Sequence, residues 1–305
     1  MHRLTLAAAL LVIGIGWALT LPLSKIVVSF GYQPFGLIFW QTLIGAAFLG
    51  TLLAVRGQLF RPTRRQWMIA ITVALVGTLL PNYFSFRALA NLPAGIVSIL
   101  LSLIPMISFP IAILMATDRF DLRRFAGLAI GLVAVLLIVL PDASLPDPAM
   151  LLWVPIALIA PVFYAMEGNI VVKIGTAGMT AVQTLFLASA VGAVLSLPLA
   201  LVTGQMIWPV ALGMPEAALA LSAAIHALVY SGYVWIVGRA GAIFAVQVSY
   251  LVTIFGVIWS VILLSEAYAP TIWASLVLML AGMALVQPRP GAASIAPLPD
   301  AGPDA

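Results

Sequence analysis

Residues 5–28 of the chain read TLAAALLVIGIGWALTLPLSKIVV, and this stretch decides the class of fold. No charged side chain separates Arg3 from Lys25. About 20 apolar residues in a helix cross the ~30 Å hydrocarbon core of a bilayer, so the stretch can span a membrane. A signal peptide also begins with basic and then apolar residues, but this run continues through Pro22 to Val28 without a convincing cleavage site. We interpret it as the first membrane helix.

Similar runs recur along all 305 residues, of which 64% are hydrophobic and only 7% charged, too few charges to cover a soluble domain. The runs are continuously apolar, which excludes the alternating strands of a membrane barrel. In lipid each segment must satisfy its own backbone hydrogen bonds, so the runs are predicted to be helices. The sequence therefore predicts an all-α membrane protein with ten transmembrane helices, at about 4–28, 34–55, 66–87, 93–116, 122–140, 150–173, 178–202, 215–237, 241–264 and 268–286.

The basic residues predict the orientation. With the N-terminus in the cytoplasm, eleven of the thirteen Lys and Arg residues fall on the cytoplasmic side, and the other side keeps only Lys25 and Arg87. We expect a bacterial inner-membrane protein with both termini in the cytoplasm. The Pro- and Ala-rich tail at residues 287–305 is predicted to be disordered.

The chain also contains an internal repeat. A shift of 148 residues superposes the ten predicted helices as five plus five, which defines repeats at residues 4–140 and 150–286. Residues that coincide are Lys25 with Lys173, Ala94 with Ala242, Leu103 with Leu251 and Asp118 with Glu266. Because five is odd, the second repeat enters the membrane from the opposite side. Inverted-topology repeats are found in many transporters, with the substrate site near the membrane midplane between the halves.

Several motifs together resemble the EamA group of the drug/metabolite transporter superfamily over residues 5–286. They are Trp17 with Lys25 eight residues later, FRALANLPAGIVSILLSLIP at 86–105, Asp118 and Glu266 at matching places, and Gly282 in the last helix. Gln41 and Ala134 depart from the residues usual in that family, Arg and Gly. The resemblance implies secondary transport of small solutes, often export of amino acids or other metabolites, and leaves the solute and the direction open.

Two polar stripes fall at repeat-related places inside predicted helices. They are Ser222, His226, Tyr230 and Tyr233 in the eighth helix, and Thr78, Asn82 and Ser85 in the third. Each set shares one helix face, because residues three or four apart are neighbours on a helix. His226 lies ten residues after Glu216, ~15 Å deep at ~1.5 Å per residue. The stripes are predicted to line a central cavity, and interhelical hydrogen bonding is the alternative.

Further candidates lie in the first, fourth and ninth helices. Trp17 is too deep for the interfacial aromatic belt, and polar side chains in the other two helices need partners from the protein or from a solute. The sequence leaves substrate contact and structural bonding open for them. The predicted substrate-binding residues of the central cavity are Trp17, Thr78, Asn82, Ser98, Ser102, His226, Tyr230, Gln247 and Tyr250.

The charged residues of the helices suggest gating or coupling. Glu167 is a carboxylate inside the sixth helix, and an ionisable residue there marks a functional site by default. We expect it near the cytoplasmic mouth, in gating or proton coupling. Lys25 and Lys173 either reach the interface or form repeat-related gate contacts. Asp118 and Glu266 are predicted to stabilise the N-termini of the fifth and tenth helices.

The expected function is secondary active transport, in the export direction, of a small metabolite such as an amino acid or related amphipathic compound, by alternating access. A lipid-headgroup flippase or a multidrug/proton antiporter is the alternative. An intramembrane enzyme would need a catalytic constellation, and the chain has no cysteine and no HExxH motif. We expect a monomer whose partners are a small-molecule substrate, membrane lipids and protons as coupling ion, with no cofactor and no nucleic acid.

Overall fold

The computed structural model of the protein describes residues 3–140, 145–208 and 213–286, with the side chains of residues 3, 242 and 243 left out. The tail predicted at 287–305 lies outside the described residues. Ten helices, numbered α1 to α10, run through the described ranges: Arg3–Ser29, Pro34–Val55, Arg64–Asn91, Ala94–Leu114, Leu122–Val139, Pro148–Ile174, Ala181–Val202, Met214–Ala240, Ala242–Ala245 with Val248–Leu264, and Pro270–Val286.

The prediction of an all-helical membrane fold is confirmed. The helix ends fall within four residues of the predicted ones. Helix α6 begins with a 3-10 turn at Pro148–Trp153 before its α-helical part. Eight helices are long and apolar enough to cross a membrane, while Val248–Leu264 and Pro270–Val286 are shorter apolar helices. Helix α1 starts at what we call the terminus side of the bundle, where α10 ends, and it finishes at the opposite side.

The two halves of the chain pack into each other. Helix α1 of the first half lies against α8 and α9 of the second, and α6 of the second half lies against α3 and α4 of the first. The remaining helices form repeat-related pairs, α2 with α7 and α5 with α10. The region between α1, α3, α6 and α8 is therefore bounded by both halves, as the inverted repeat requires.

Small residues bring α5 and α10 into backbone contact. A Cβ atom added to Gly282 would lie 2.8 Å from the carbonyl oxygen of Gly127, and one added to Gly127 would lie 2.7 Å from that of Gly282. Close by, the Ser275 hydroxyl donates to the Ala134 carbonyl over 2.7 Å. Lipid tails are as apolar as the side chains, so the hydrophobic effect does not drive membrane helices together. Close crossings such as this one associate through van der Waals contact and interhelical hydrogen bonds.

Three of the central helices are irregular. Helix α3 contains a π turn at Leu75–Leu79, and α4 is interrupted between Leu101 and Ile104. Helix α9 is interrupted between Ala245 and Val248. Pro81 has no N–H to donate, so the carbonyl of Gly77, four residues earlier, loses its α-helical partner beside the π turn. π turns inside α-helices often occur at functional sites, and this one faces the middle of the bundle.

Candidate functional site

The two sides of the bundle are packed differently. One continuous apolar core crosses the opposite side, where it includes Val27, Ile38 and Leu219, and extends along α10 to Val286 on the terminus side. On the terminus side the other buried apolar residues form three separate clusters, one between α3 and α7, one between α1, α8 and α9, and one between α2, α7 and α8. Buried apolar packing is therefore continuous on the opposite side, which we call the closed side, and outside this core it is divided into separate clusters on the terminus side.

A pair of charged residues holds the α3–α4 junction on the closed side. The Lys25 ammonium donates to the carbonyls of Leu89, at 2.6 Å, and Leu92, at 3.0 Å. The Glu266 carboxylate accepts from the N–H groups of Ala94, at 2.8 Å, and Gly95, at 3.3 Å. A cation thus meets the negative end of one helix and an anion the positive end of the next, where backbone groups lack intrahelical partners. We call Lys25 and Glu266 the α3–α4 clamp.

Tyr268 supports this clamp from the connection between α9 and α10. Its hydroxyl donates to Glu266, accepts from the Gly95 N–H over 3.0 Å and lies 2.7 Å from the Ser260 hydroxyl. Burial, and after it the bond to Glu266, raises the pKa of the Tyr268 hydroxyl, so the group stays a protonated donor at neutral pH. Nothing in the sequence pattern indicated this tyrosine.

The clamp shows where Lys25 is bound and corrects the expectation for Glu266. Lys25 is turned inward onto the end of α3, because two backbone carbonyls satisfy its ammonium without a reach to the membrane surface. Glu266 binds the N-terminus of α4, not that of α10. The physical argument for a carboxylate at a helix start was sound, but the helix that provides the start belongs to the other half of the chain.

The repeat-related residues on the terminus side are arranged differently. Lys173, exposed, donates to the Met115 carbonyl at the end of α4 over 3.3 Å. Asp118 pairs with the guanidinium of Arg124 in the first turn of α5 and accepts from the N–H of Arg119 over 2.8 Å. Asp121, and not the predicted Asp118, caps the start of α5. By the repeat, Lys173 and Asp118 correspond to the clamp, yet they are bound away from the α8–α9 junction.

An aromatic cluster occupies the middle of the bundle between α1 and α8. The ring of Trp17 makes edge contacts with His226 and Tyr233, both at 5.7 Å between centroids, and with Tyr230 at 6.3 Å. Three of the four residues of the predicted α8 stripe thus meet the predicted tryptophan. The fourth, Ser222, donates to the Thr20 carbonyl of α1 over 3.2 Å and serves helix packing.

Polar residues of α3 and α6 face this cluster. The Tyr164 hydroxyl donates to the Asn82 side-chain oxygen over 2.7 Å. Thr78 lies in the π turn, and the buried hydroxyl of Ser85 lies beside the Tyr164 hydroxyl. Glu167 lies against Gly77 and within electrostatic range of the hydroxyls of Tyr164 and Tyr230. Glu167 therefore belongs with the stripes, and the expected separation at the cytoplasmic mouth is not observed.

The remaining candidates lie between α4 and α9 or beside helix breaks. Ser98 is buried against α9, where a Cβ on Gly256 would fall 2.1 Å from its hydroxyl. Ser102 donates to the Ile99 carbonyl over 2.6 Å at the break of α4. Gln247 and Tyr250 flank the break of α9 and are partly buried. The structure thus brings together Trp17, Thr78, Asn82, Glu167, His226 and Tyr230 as the central site and leaves the two serines in helix packing.

Two features of the site had only weak signals in the sequence. Gly77 is a single glycine in an apolar helix, four residues before a proline, a combination that marks a backbone irregularity without saying which kind. Tyr164 shares a helix face with Glu167, but its bond to Asn82 depends on how α3 and α6 pack. Within the described ranges no group of three His, Cys, Asp or Glu side chains could hold a metal ion.

Comparison with known proteins identifies the class. The model of the EamA-like transporter family matches residues 4–140 and 151–287, one match for each half of the chain. The protein therefore belongs to the EamA-like transporter family, which confirms the resemblance found in the sequence, and it is a multi-pass membrane protein of a transporter family.

Of two further comparisons, one supports the fold alone and the other gives no match. A solved structure described only as "Crystal structure of protein" matches with a TM-score of 0.60 and 19% sequence identity, covering 93% of this chain and 98% of that one. The comparison with curated proteins gives no match.

Proposed function

We propose that the protein is a secondary active transporter that exports a small metabolite, such as an amino acid or a related amphipathic compound, by alternating access around the central site. The observation that carries this proposal is the difference between the two sides of the bundle. The α3–α4 clamp is engaged on the opposite side, and its repeat-related counterpart is disengaged on the terminus side.

The inverted repeat supplies the second conformation. In the second conformation the two repeats exchange their arrangements. Lys173 and Asp118 then bind the α8–α9 junction, while Lys25 and Glu266 release the α3–α4 junction. The site is then reached from the other side, as alternating access demands. Lys25 and Lys173 are thus gate residues in this proposal.

Trp17, Thr78, Asn82, His226 and Tyr230 contact the substrate, and Glu167 carries the coupling proton. We place the protein in a bacterial inner membrane with the terminus side in the cytoplasm, because the basic residues concentrate in the loops of that side. The structure then corresponds to the state that loads cargo from the cytoplasm.

Cysteine labelling tests the open side. The chain has no native cysteine, so Tyr230→Cys introduces a single thiol. We expect a membrane-impermeant methanethiosulfonate reagent to modify this thiol from the terminus side and to leave it unmodified from the opposite side. The matched control is Leu228→Cys, because Leu228 is 61% exposed on the same helix and faces lipid, where a charged reagent cannot react. Labelling of position 230 only from the opposite side, or from neither, would contradict the proposed state.

Transport itself is tested by counterflow of radiolabelled solutes in proteoliposomes. We expect a labelled solute to accumulate transiently inside vesicles that were preloaded with the same unlabelled solute. A dithionite quenching assay with fluorescent phospholipid distinguishes the flippase alternative, since lipid scrambling without solute counterflow would overturn the metabolite proposal.

A further inference from the structure

Resting on the proposed function, we infer that Glu167 and the π turn of α3 form a recognition site for organic cations, specifically a protonated amine attached to a flat apolar group. The π turn and Gly77 make room for the carboxylate, no cation among the described residues pairs with it, and Trp17 with Tyr230 provides an aromatic surface.

The first step is the fit between α6 and α3. A Cβ atom added to Gly77 would lie 2.6 Å from Cγ and 3.1 Å from Cδ of Glu167, so any side chain larger than hydrogen would push the carboxylate away. Gly77 is the middle residue of the π turn at Leu75–Leu79. A π turn is rare and its hydrogen-bond geometry is strained relative to an α-helix, and here it falls where the carboxylate of the neighbouring helix needs room. The glycine and the π turn together place Glu167 against bare backbone.

The second step is charge. Among the described residues Glu167 makes no salt bridge and no hydrogen bond, and only tyrosine hydroxyls lie within its electrostatic range. Lys25 is held by the end of α3 and Lys173 by the end of α4. A carboxylate inside a membrane is costly without a partner, and such residues pair with one another or mark a substrate or ion pathway. A cationic solute supplies the missing partner, whereas an anionic solute would meet repulsion.

The third step is the surface beside the carboxylate. The Tyr230 hydroxyl lies within electrostatic range of Glu167, and the Tyr230 ring is in edge contact with Trp17, so aromatic rings lie beside the carboxylate. Ammonium groups are attracted to aromatic faces, and flat apolar groups pack against them. On the other flank the Asn82 side chain, whose oxygen accepts from Tyr164, still has its NH2 group to donate to the solute. A solute with an ammonium at one end and a flat apolar body satisfies the charge and the rings together.

Protection from a carbodiimide tests this class of ligand on the full-length protein in nanodiscs. Dicyclohexylcarbodiimide modifies carboxyl groups in apolar surroundings, and mass spectrometry locates the modified residue. We expect modification of Glu167 in the free protein. We expect 2-phenylethylamine to prevent it at about tenfold lower concentration than 2-phenylethanol or phenylacetate, the advantage of one charge-assisted hydrogen bond. An unreactive Glu167, or equal protection by the alcohol, overturns the inference.

Two matched variants separate recognition from folding. Gly77→Ala keeps the carboxylate but fills its space, so the protecting concentration of 2-phenylethylamine should rise about tenfold. Gly168→Ala, next to Glu167 in the chain, is the control, because its added Cβ meets nothing within 4 Å. Equal protection in both variants overturns the role of the π turn.

Transport assays distinguish failure of this inference from failure of the proposed function. With Glu167→Gln, counterflow of 2-phenylethylamine should be lost, while Glu216→Gln, a carboxylate at the start of α8 bonded to Tyr32, should retain it. If Glu167→Gln loses only the dependence on a pH gradient and keeps exchange of 2-phenylethylamine, Glu167 serves the coupling proton alone, and the amine class falls while transport stands. If the amine protects Glu167 but no counterflow is detected for any solute, the amine site stands and the transport proposal falls.

Discussion

Replacing Glu266 with glutamine will open the closed side of the bundle. Its carboxylate accepts from the N–H groups of Ala94 and Gly95 and from Tyr268, and a neutral amide offers one oxygen without charge. Hydrogen bonds to charged groups contribute about 1.5–3 kcal/mol each, so loss of one shifts the equilibrium between conformations about 10- to 150-fold. We expect the opened conformation to become well populated, and net transport to fall because the closed state is no longer held.

Spin-label distances measure this change. Cysteines at Ala90, near the end of α3, and Ala267, beside Glu266, are both exposed, and the chain has no other cysteine to label. Double electron–electron resonance should show a longer and broader distance distribution in Glu266→Gln. Glu216→Gln removes a carboxylate on the same side without touching the clamp and should leave the distribution unchanged. An unaltered distribution in Glu266→Gln would show that the clamp does not hold the two helices together.

The second large effect is expected on stability, from Gly282→Val. The new Cβ would lie 2.8 Å from the Gly127 carbonyl oxygen and from Cε of Met106, and the backbone atom cannot move aside as a flexible side chain can. Helices α5 and α10 must separate, which also breaks the bond from Ser275 to Ala134. Overpacking of this kind costs about 1–3 kcal/mol or more, and the lost hydrogen bond adds about 1 kcal/mol.

Thermal unfolding followed by tryptophan fluorescence in detergent measures the loss. The control is Gly238→Ala in α8, where an added Cβ meets nothing within 4 Å and alanine is the better helix former. We expect the control to unfold at the same temperature as the parent or slightly higher, and Gly282→Val to unfold well below it. Equal unfolding temperatures in the two variants would mean that α5 and α10 do not cross closely in the folded protein.

The sequence predicted what depends on length and composition. Each apolar run was long enough to span a membrane, and the boundaries at Pro34 and Leu122 follow from turn residues before them. The repeat followed from the common spacing of the runs, and the residues that coincide between the halves include Lys25 with Lys173 and Asp118 with Glu266.

Partners across the bundle could not be predicted in the same way. Five helices start on the side of the membrane where Glu266 lies, and only the packing of α9 against α4 selects Ala94. Ser98 had the same polar character as the serines of a cavity, yet Gly256 brings α9 too close for a solute. The π turn left no trace in the apolar pattern, because one extra residue in a turn does not change a run of apolar side chains. Sequence periodicity specifies a helix face, and the neighbour of that face comes from the packing.

The α3–α4 clamp and the repeat-related pair, Lys173 with Asp118, contain the same types of residue but differ in strength. Glu266 has a longer arm than Asp118, which is already neutralised by Arg124, and Tyr268 assists Glu266 alone. In the proposed transport cycle, the unequal stability of the two pairs favours one conformation. We therefore expect the protein without substrate to spend most of its time open to the terminus side. In the proposed cycle we expect the slow step to be the release of the α3–α4 clamp after the substrate has bound. A substrate that weakens the α3–α4 clamp would then set the rate of the whole cycle. Glu266→Asp, which shortens the side chain by one methylene, should shorten the lifetime of this conformation.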